Sequence, residues 1–313
     1  MNSRTFDRLA LIAAVVIFCA AIIVLFREFA SVSPRDVIAR LAALPKRQFF
    51  SAIGITATSY LFLTGYDFLA LRYIQYRLRF CDVLFASFTA FALSNNVGFQ
   101  LLSGGSMRYR IYSRFGLDAI QIGEIVAFCT IAYALGIITV GGLLAVLDPI
   151  DIASLLHLPS VVIVAGGVSL LCCSIGYLLA AGTWRKHITL GGHQLRPPSL
   201  ILAVLQVGLA SFDAILASTV LYVLLPADFD IGFQSFLCIY LIAATASVLS
   251  LVPGGLGVFE TAITVMATPS SKAAMLGMFF AYRMIYFILP LVVAIICLTV
   301  HEVRRHSKRL FIN

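Results

Sequence analysis

Charge is scarce in this sequence. Asp and Glu number 14 and Lys and Arg 22 among 313 residues, 12% in all against 61% hydrophobic. Soluble domains are about one quarter charged and about half apolar, so a soluble fold is excluded: its core could not hide this much apolar surface. Catalytic signatures are missing too. There is no G-x-S-x-G elbow, no Walker loop and no Rossmann fingerprint, and the serine and glycine clusters interrupt apolar runs instead of following a soluble strand. The seven cysteines (Cys19, Cys81, Cys129, Cys172, Cys173, Cys238, Cys297) form no C-x-x-C pair and no Cys/His cluster with metal spacing. They read as small buried hydrophobes. The histidines His157, His187, His193, His301 and His306 fall in loops or the tail, without an H-x-x-x-H pair. No catalytic residue, metal or cofactor is therefore expected.

What the chain has in quantity is apolar runs of about 20 residues, the length that crosses a bilayer as a helix. Leu9–Phe26, Phe49–Leu71, Ile120–Leu147, Pro159–Ala181, Leu200–Leu225 and Ala273–Val300 read as spans. The first follows Arg4 and Arg8 and resembles a signal sequence. It is too long for one, however, and is followed by Arg27-Glu28 instead of a small-x-small site, so it is expected to be retained. Ser33-Pro34 is expected to open a short amphipathic helix along the interface.

Two further runs, Cys81–Gly105 and Ile231–Gly257, end in polar or glycine-rich chain where a span should continue. The first contains Ser94-Asn95-Asn96 and closes on Gly104-Gly105; the second closes on Pro253-Gly254-Gly255. Broken helices at membrane depth are tolerated only where protein or a water-filled cavity satisfies the freed backbone. Loop charge sets the crossings. Arg185, Lys186, Arg196 and the tail Arg304, Arg305, Lys308 and Arg309 mark the cytoplasmic side, and Asp148, Asp151, Asp228 and Asp230 the other. On that reading both broken runs are re-entrant, one from each face, and the C-terminus is cytoplasmic. The basic stretch Arg27–Arg47 then lies outside, against the rule.

The net charge of +8 sits in connections and not in a basic helix or an aromatic-basic motif, so nucleic acid is not an expected partner. Anionic lipid is the natural counter-charge. The order of features repeats: a span bearing Tyr66-Asp67 or Phe212-Asp213, a broken run ending in Gly-Gly, then a long span. The expected fold is all-α: a polytopic membrane protein of about six full spans plus two re-entrant broken helices, arranged as an inverted repeat. Residues 1–313 would form one transmembrane domain with halves of about 1–147 and 159–300. Inverted repeats around discontinuous helices place a substrate site near the midplane.

Asp67, Glu124, Asp213, Glu260 and Arg283 lie in or beside apolar runs, where a charge needs a partner or water. Either Glu260 or Asp213 is positioned to pair with Arg283, or with Arg108 or Arg110; alternatively Asp67 and Asp213 cap or stitch helices. The Gly-Gly breaks either expose helix-end N–H groups to an anion or permit tight turns and close packing. Arg108 and Arg110, just past the first break, favour the anion, since guanidinium groups suit phosphate.

The stretch Ser94-Asn-Asn-Val-Gly-Phe-Gln-Leu-Leu-Ser-Gly-Gly-Ser-Met-Arg-Tyr-Arg-Ile-Tyr112, with Gly116-Leu117 following, resembles the membrane region of the lysylphosphatidylglycerol synthase family. Val252-Pro-Gly-Gly-Leu-Gly-Val-Phe-Glu260 is similar to its second signature. The first resembles in particular the flippase-like N-terminal half of the multiple peptide resistance factor. The resemblance covers nearly the whole chain, and no soluble transferase domain is read within it. It implies a bacterial inner-membrane protein that moves or handles anionic or aminoacylated phospholipid, as a homo-oligomer or beside a separately encoded transferase subunit. By match to the signatures, Asn95, Asn96, Gly104, Gly105, Arg108, Arg110, Pro253, Gly254, Gly255 and Glu260 are the implied headgroup residues. A membrane subunit of an aminoacyl-phospholipid synthase and an accessory envelope protein are the rival readings.

Overall fold

The computed structural model describes residues 44–97, 100–183, 188–190, 193–195, 197–226, 229, 231–250, 252–267 and 272–310. The expected span Leu9–Phe26 and the interfacial helix at Ser33-Pro34 lie outside them. Among the described residues the chain is helical apart from one two-stranded hairpin, Ile188–Leu190 against His193–Leu195.

The helices are α1 (Lys46–Tyr73), α2 (Phe80–Val97), α3 (Gln100–Tyr112), α4 (Ala119–Leu147), α5 (Pro149–Leu156), α6 (Ser160–Thr183), α7 (Leu200–Val223), α8 (Phe233–Leu249), α9 (Val258–Ala267), α10 (Lys272–Tyr282) and α11 (Leu289–Leu310). A π-helical segment, Arg283–Ile288, joins α10 directly to α11. Phe80–Val97, Ala119–Leu147, Ser160–Thr183, Leu200–Val223 and Met275–Val303 are each long and apolar enough to cross a membrane. The protein is thus an all-α polytopic membrane protein.

Local chemistry sets the ends. Gly116, at φ 91°, closes the turn Ser113–Phe115. Asp118 then caps α4 by accepting from the N–H groups of Ile120 (2.9 Å) and Gln121 (2.8 Å), while the Gln121 side chain accepts from the Asp118 N–H at 3.0 Å. Pro149 opens α5, where its missing N–H is not needed, and Ser199 caps α7.

Helix α1 has 28 residues, enough to span, but its interior polar residues Ser59, Thr64 and Asp67 are buried within the bundle. It is a central helix, and these three side chains meet protein. Its main neighbour is α7. Phe62 stacks on Phe212 at 5.6 Å, Ser59 bonds Asp213, and a Cβ on Gly65 would meet Leu209. As the residue number rises on one helix it falls on the other, so α1 and α7 run antiparallel.

The two expected broken runs are helical hairpins, α2–α3 and α8–α9. Their second arms, 13 and 10 residues, reach only about 20 and 15 Å at 1.5 Å per residue, short of a hydrocarbon core of about 30 Å. The buried core falls into two clusters. One joins the first hairpin to the C-terminal half of α1 and the N-terminal half of α4; the other joins the second hairpin to the opposite ends of those helices. The hairpins therefore occupy opposite ends of the bundle.

One expectation needs correction. Gly104-Gly105 is not the first break: α2 ends at Val97, α3 begins at Gln100, and both glycines lie inside α3. Gly104 serves packing, since a Cβ there would stand 3.3 Å from Ser94 Cβ and 3.1 Å from Arg108 Nη1. Gly254 and Gly255 do form the second break, both at φ 63° in the turn Pro253–Gly255, a left-handed conformation that glycine alone adopts without cost.

The tightest crossing is α4 on α7, where a Cβ on Gly136 would lie 2.6 Å from the Ala210 carbonyl carbon and oxygen. That neighbour is backbone and cannot rotate away. Gly136→Ala is expected to cost about 1–3 kcal/mol through overpacking, read as a lower thermal midpoint in detergent. An unchanged midpoint would show slack at this crossing.

Candidate functional site

Three polar clusters occupy the interior, each assembled from residues far apart in sequence. In the first, Asp67 of α1 meets Arg108 of α3. Arg108 Nη2 lies 2.7 Å from Oδ1, and Nε donates to both carboxylate oxygens at 3.0 Å. Tyr112, one turn beyond Arg108, donates to Oδ2 at 2.7 Å, and Cys129 of α4 approaches Oδ1 at 3.5 Å. The guanidinium also covers the Phe91 ring at 4.6 Å. Asp67 is 0% and Arg108 1% exposed.

This geometry parts Arg108 from Arg110, which were expected side by side on a phosphate. Two residues apart on one helix, they point in different directions. Arg108 is committed to Asp67, whereas the half-exposed Arg110 lies 4.0 Å from Glu302, which Arg114 also approaches at 3.5 Å. Arg110 and Arg114 thus tie α3 and the following turn to α11.

The second cluster surrounds Asp213 of α7. Ser59 donates to Oδ1 at 3.0 Å and Tyr66 to Oδ2 at 3.2 Å, and the Ser59 hydroxyl is also 3.1 Å from that of Tyr286. Adjacent residues 66 and 67 sit about 100° apart around α1, so Tyr66 serves Asp213 while Asp67 serves Arg108. The π segment contributes through its backbone. Pro290 has no N–H for the Tyr286 carbonyl four residues earlier, and Tyr60 supplies a donor instead at 3.2 Å. Asn96, at the end of α2, donates to the neighbouring Phe287 carbonyl at 3.0 Å and to Ala92 at 2.8 Å. Asn95, beside Asn96 on α2, lies near Tyr60.

The third cluster lies at the second break. Arg283 Nη2 and Nε reach Glu260 Oε1 at 2.6 and 2.9 Å, and Nη1 donates to the Gly254 carbonyl at 2.8 Å. Glu260 Oε2 accepts from the Gly257 N–H at 2.9 Å, and Arg283 stacks on Phe287 at 4.8 Å. This pair keeps some access, with side chains 12% and 21% exposed. The second and third clusters meet where the hairpin tips touch: a Cβ on Gly254 would lie 3.0 Å from the Asn96 carbonyl oxygen.

Of the expected alternatives the Glu260–Arg283 pairing is therefore present, and Asn96 and Gly254 come together beside it, with Pro253 and Gly255 in the adjoining turn. Glu124 stands apart on α4, near Tyr73. Sequence reading missed Ser59, Tyr60, Tyr112, Cys129 and Tyr286. Tyr112 carried a usable signal in its i+4 spacing from Arg108, which places the two on one helix face. No metal-holding group of His, Cys, Asp and Glu occurs among the described residues.

Long apolar helices around a buried polar axis, with two opposed helical hairpins meeting inside, define a polytopic helical membrane protein with an internal polar site. The chain belongs to the family of the Synechocystis protein named uncharacterized protein slr0712, with which it is 38% identical over 275 residues, 88% of this chain and 85% of that protein. Inner membrane protein YbhN of Escherichia coli is 28% identical over 250 residues, 79% of this chain and 78% of its own. Phosphatidylglycerol lysyltransferase of Staphylococcus aureus is 23% identical over 304 residues, 95% of this chain but 34% of the enzyme. The chain thus spans about a third of that enzyme's length and is its distant relative. No family model matches the chain.

Proposed function

We propose that this protein is a bacterial inner-membrane translocase-like handler of phospholipid headgroups, related through an inverted repeat and with its C-terminus in the cytoplasm. The observation that carries the reading is the junction of the two hairpin tips, Gly254 against the Asn96 carbonyl, beside the partly accessible Glu260–Arg283 pair. Discontinuous helices that meet inside a bundle leave backbone and ionic groups for a polar substrate in the middle of an apolar structure. Antiparallel α1 and α7, with hairpins at opposite ends, support the inverted relation of the halves. The inner-membrane location follows the name of the YbhN relative.

Recognition works by exchange of partners. Arg283 releases Glu260 to take a lipid phosphate, and Glu260 takes the ammonium of an aminoacylated headgroup. Arg108 has no such freedom and instead holds α3 to α1. Phosphate can first be gathered at a groove of about 820 Å³ at the α1–α2 turn, lined by Phe68, Leu71, Arg72, Gln75 and Arg77. Neither Arg72 nor Arg77 forms an ion pair among the described residues, and basic groups at such a boundary gain about 1 kcal/mol each near anionic lipid.

The match to phosphatidylglycerol lysyltransferase favours a second reading, a membrane subunit that serves a separate transferase; stable co-purification with such an enzyme would select it. The headgroup reading is tested by thermal stabilisation of purified protein with phosphatidylglycerol and its lysyl derivative. Wild type should be stabilised more by the lysyl lipid, and Glu260→Gln should erase that preference while keeping the response to phosphatidylglycerol. Equal stabilisation of both proteins by both lipids would refute it.

A further inference from the structure

Among the described residues, two interior acids are each balanced by an arginine and Asp213 is not. Asp67 is balanced by Arg108 at 2.7 Å and Glu260 by Arg283 at 2.6 Å. Asp213, 5% exposed, forms no ion pair among the described residues, and its hydrogen-bond donors are the hydroxyls of Ser59 and Tyr66. The titratable groups facing it are Tyr60 and Tyr66 from α1, Tyr133 from α4, Tyr240 from α8 and Tyr286 from the π segment. None of them is a cation. A lone carboxylate buried at membrane depth needs a counter-charge, and the described side chains provide none.

A second observation points to the same place. Among the described residues the buried hydroxyl of Thr56 has no hydrogen-bond partner, and a buried polar group left so is costly. Thr56 lies three residues before Ser59 on α1, about 60° round the helix, so the two hydroxyls share a face. An unused oxygen thus lies about one turn along α1 from the hydroxyl that meets the unbalanced carboxylate. Buried unsatisfied oxygens of this kind call for an ion or water, and coupling ions in discontinuous-helix proteins sit at such interior oxygens.

We propose that Asp213 binds an exchangeable monovalent cation, a proton or Na+, in the α1–α7 seam, with the hydroxyls of Ser59 and Thr56 as neutral oxygen neighbours. The cation supplies for Asp213 the charge that Arg108 supplies for Asp67. The site goes beyond the headgroup reading and stands without it, because cation binding is measured on the protein alone. A cation response without lipid movement would count against translocation and leave this site intact.

The test uses the purified full chain in detergent. Thermal unfolding is followed as Na+ replaces choline at constant ionic strength, and infrared difference spectra across pH look for a protonated carboxyl stretch. Na+-dependent stabilisation identifies the sodium form, and a titrating carboxyl band identifies the proton form. Asp213→Asn should abolish whichever response appears, and the surface change Glu302→Gln should leave it unaltered. Should Asp213→Asn fail to fold, Ser59→Ala retains the carboxylate and should weaken the apparent cation affinity on the order of tenfold, about 1.4 kcal/mol. Neither response in wild type, a response that survives Asp213→Asn, or an affinity untouched by Ser59→Ala would overturn the proposal.

Discussion

Replacing Arg108 with Met is expected to destabilise the protein by about 3–5 kcal/mol, the cost of leaving a buried charge without its partner. Asp67 is fully enclosed, and Tyr112 and Cys129 donate to it without neutralising it. The loss would be read as an earlier transition on unfolding in mixed detergent and SDS. The double substitution Asp67→Asn with Arg108→Met removes both charges and should recover at least half of it, since a neutral amide can still accept from Tyr112. If the single and double variants unfold together, the pair is not what holds α3 to α1. The same experiment separates a structural Arg108 from a phosphate-binding one: the double variant, once folded, should still show lipid-dependent stabilisation.

Gly255→Ala should have an effect of similar size for a different reason. At φ 63° an alanine incurs about 1–2 kcal/mol from its left-handed backbone. Its Cβ would also fall 1.6 Å from Ser247 Oγ and 2.8 Å from Ser247 Cβ, so the serine must move and give up its bond to the Gly255 carbonyl. Overpacking of this kind adds about 1–3 kcal/mol. Pairing Gly255→Ala with Ser247→Gly removes the overlap but not the backbone term, so a partial rescue of thermal stability is expected. Complete rescue would show that the left-handed turn is not required, and no rescue would place the whole cost in the backbone.

The sequence was most informative where one residue type dominates a long stretch. Apolar length alone located α4, α6, α7 and the α10–α11 helix, because a membrane span needs no information from distant residues. Chain interruptions were harder to place. Gly104-Gly105 looked like a break, yet glycine has two uses, left-handed turns and close packing, and only the approach of Ser94 and Arg108 shows that Gly104 serves the second. The interior pairs divided in the same way. Glu260 and Arg283, 23 residues apart, were visible as one acid and one base around a break. Asp67 and Arg108, 41 residues apart, became partners only when α3 folded back along α1. Ser59, Tyr60 and Tyr286 gave no signal, because their use depends on the register of α1 against α7 and on carbonyls released before Pro290.

The central claim, that the opposed hairpins with Glu260 and Arg283 at their junction carry a lipid headgroup through the protein, is tested most directly by reconstitution into liposomes. Fluorescent phosphatidylglycerol and its lysyl derivative are included, and the signal accessible to dithionite is followed over time. The account predicts faster loss of signal with wild-type protein than in protein-free liposomes, and a rate for the lysyl lipid that falls towards the protein-free value in Glu260→Gln. Loss at the protein-free rate for both lipids would contradict it.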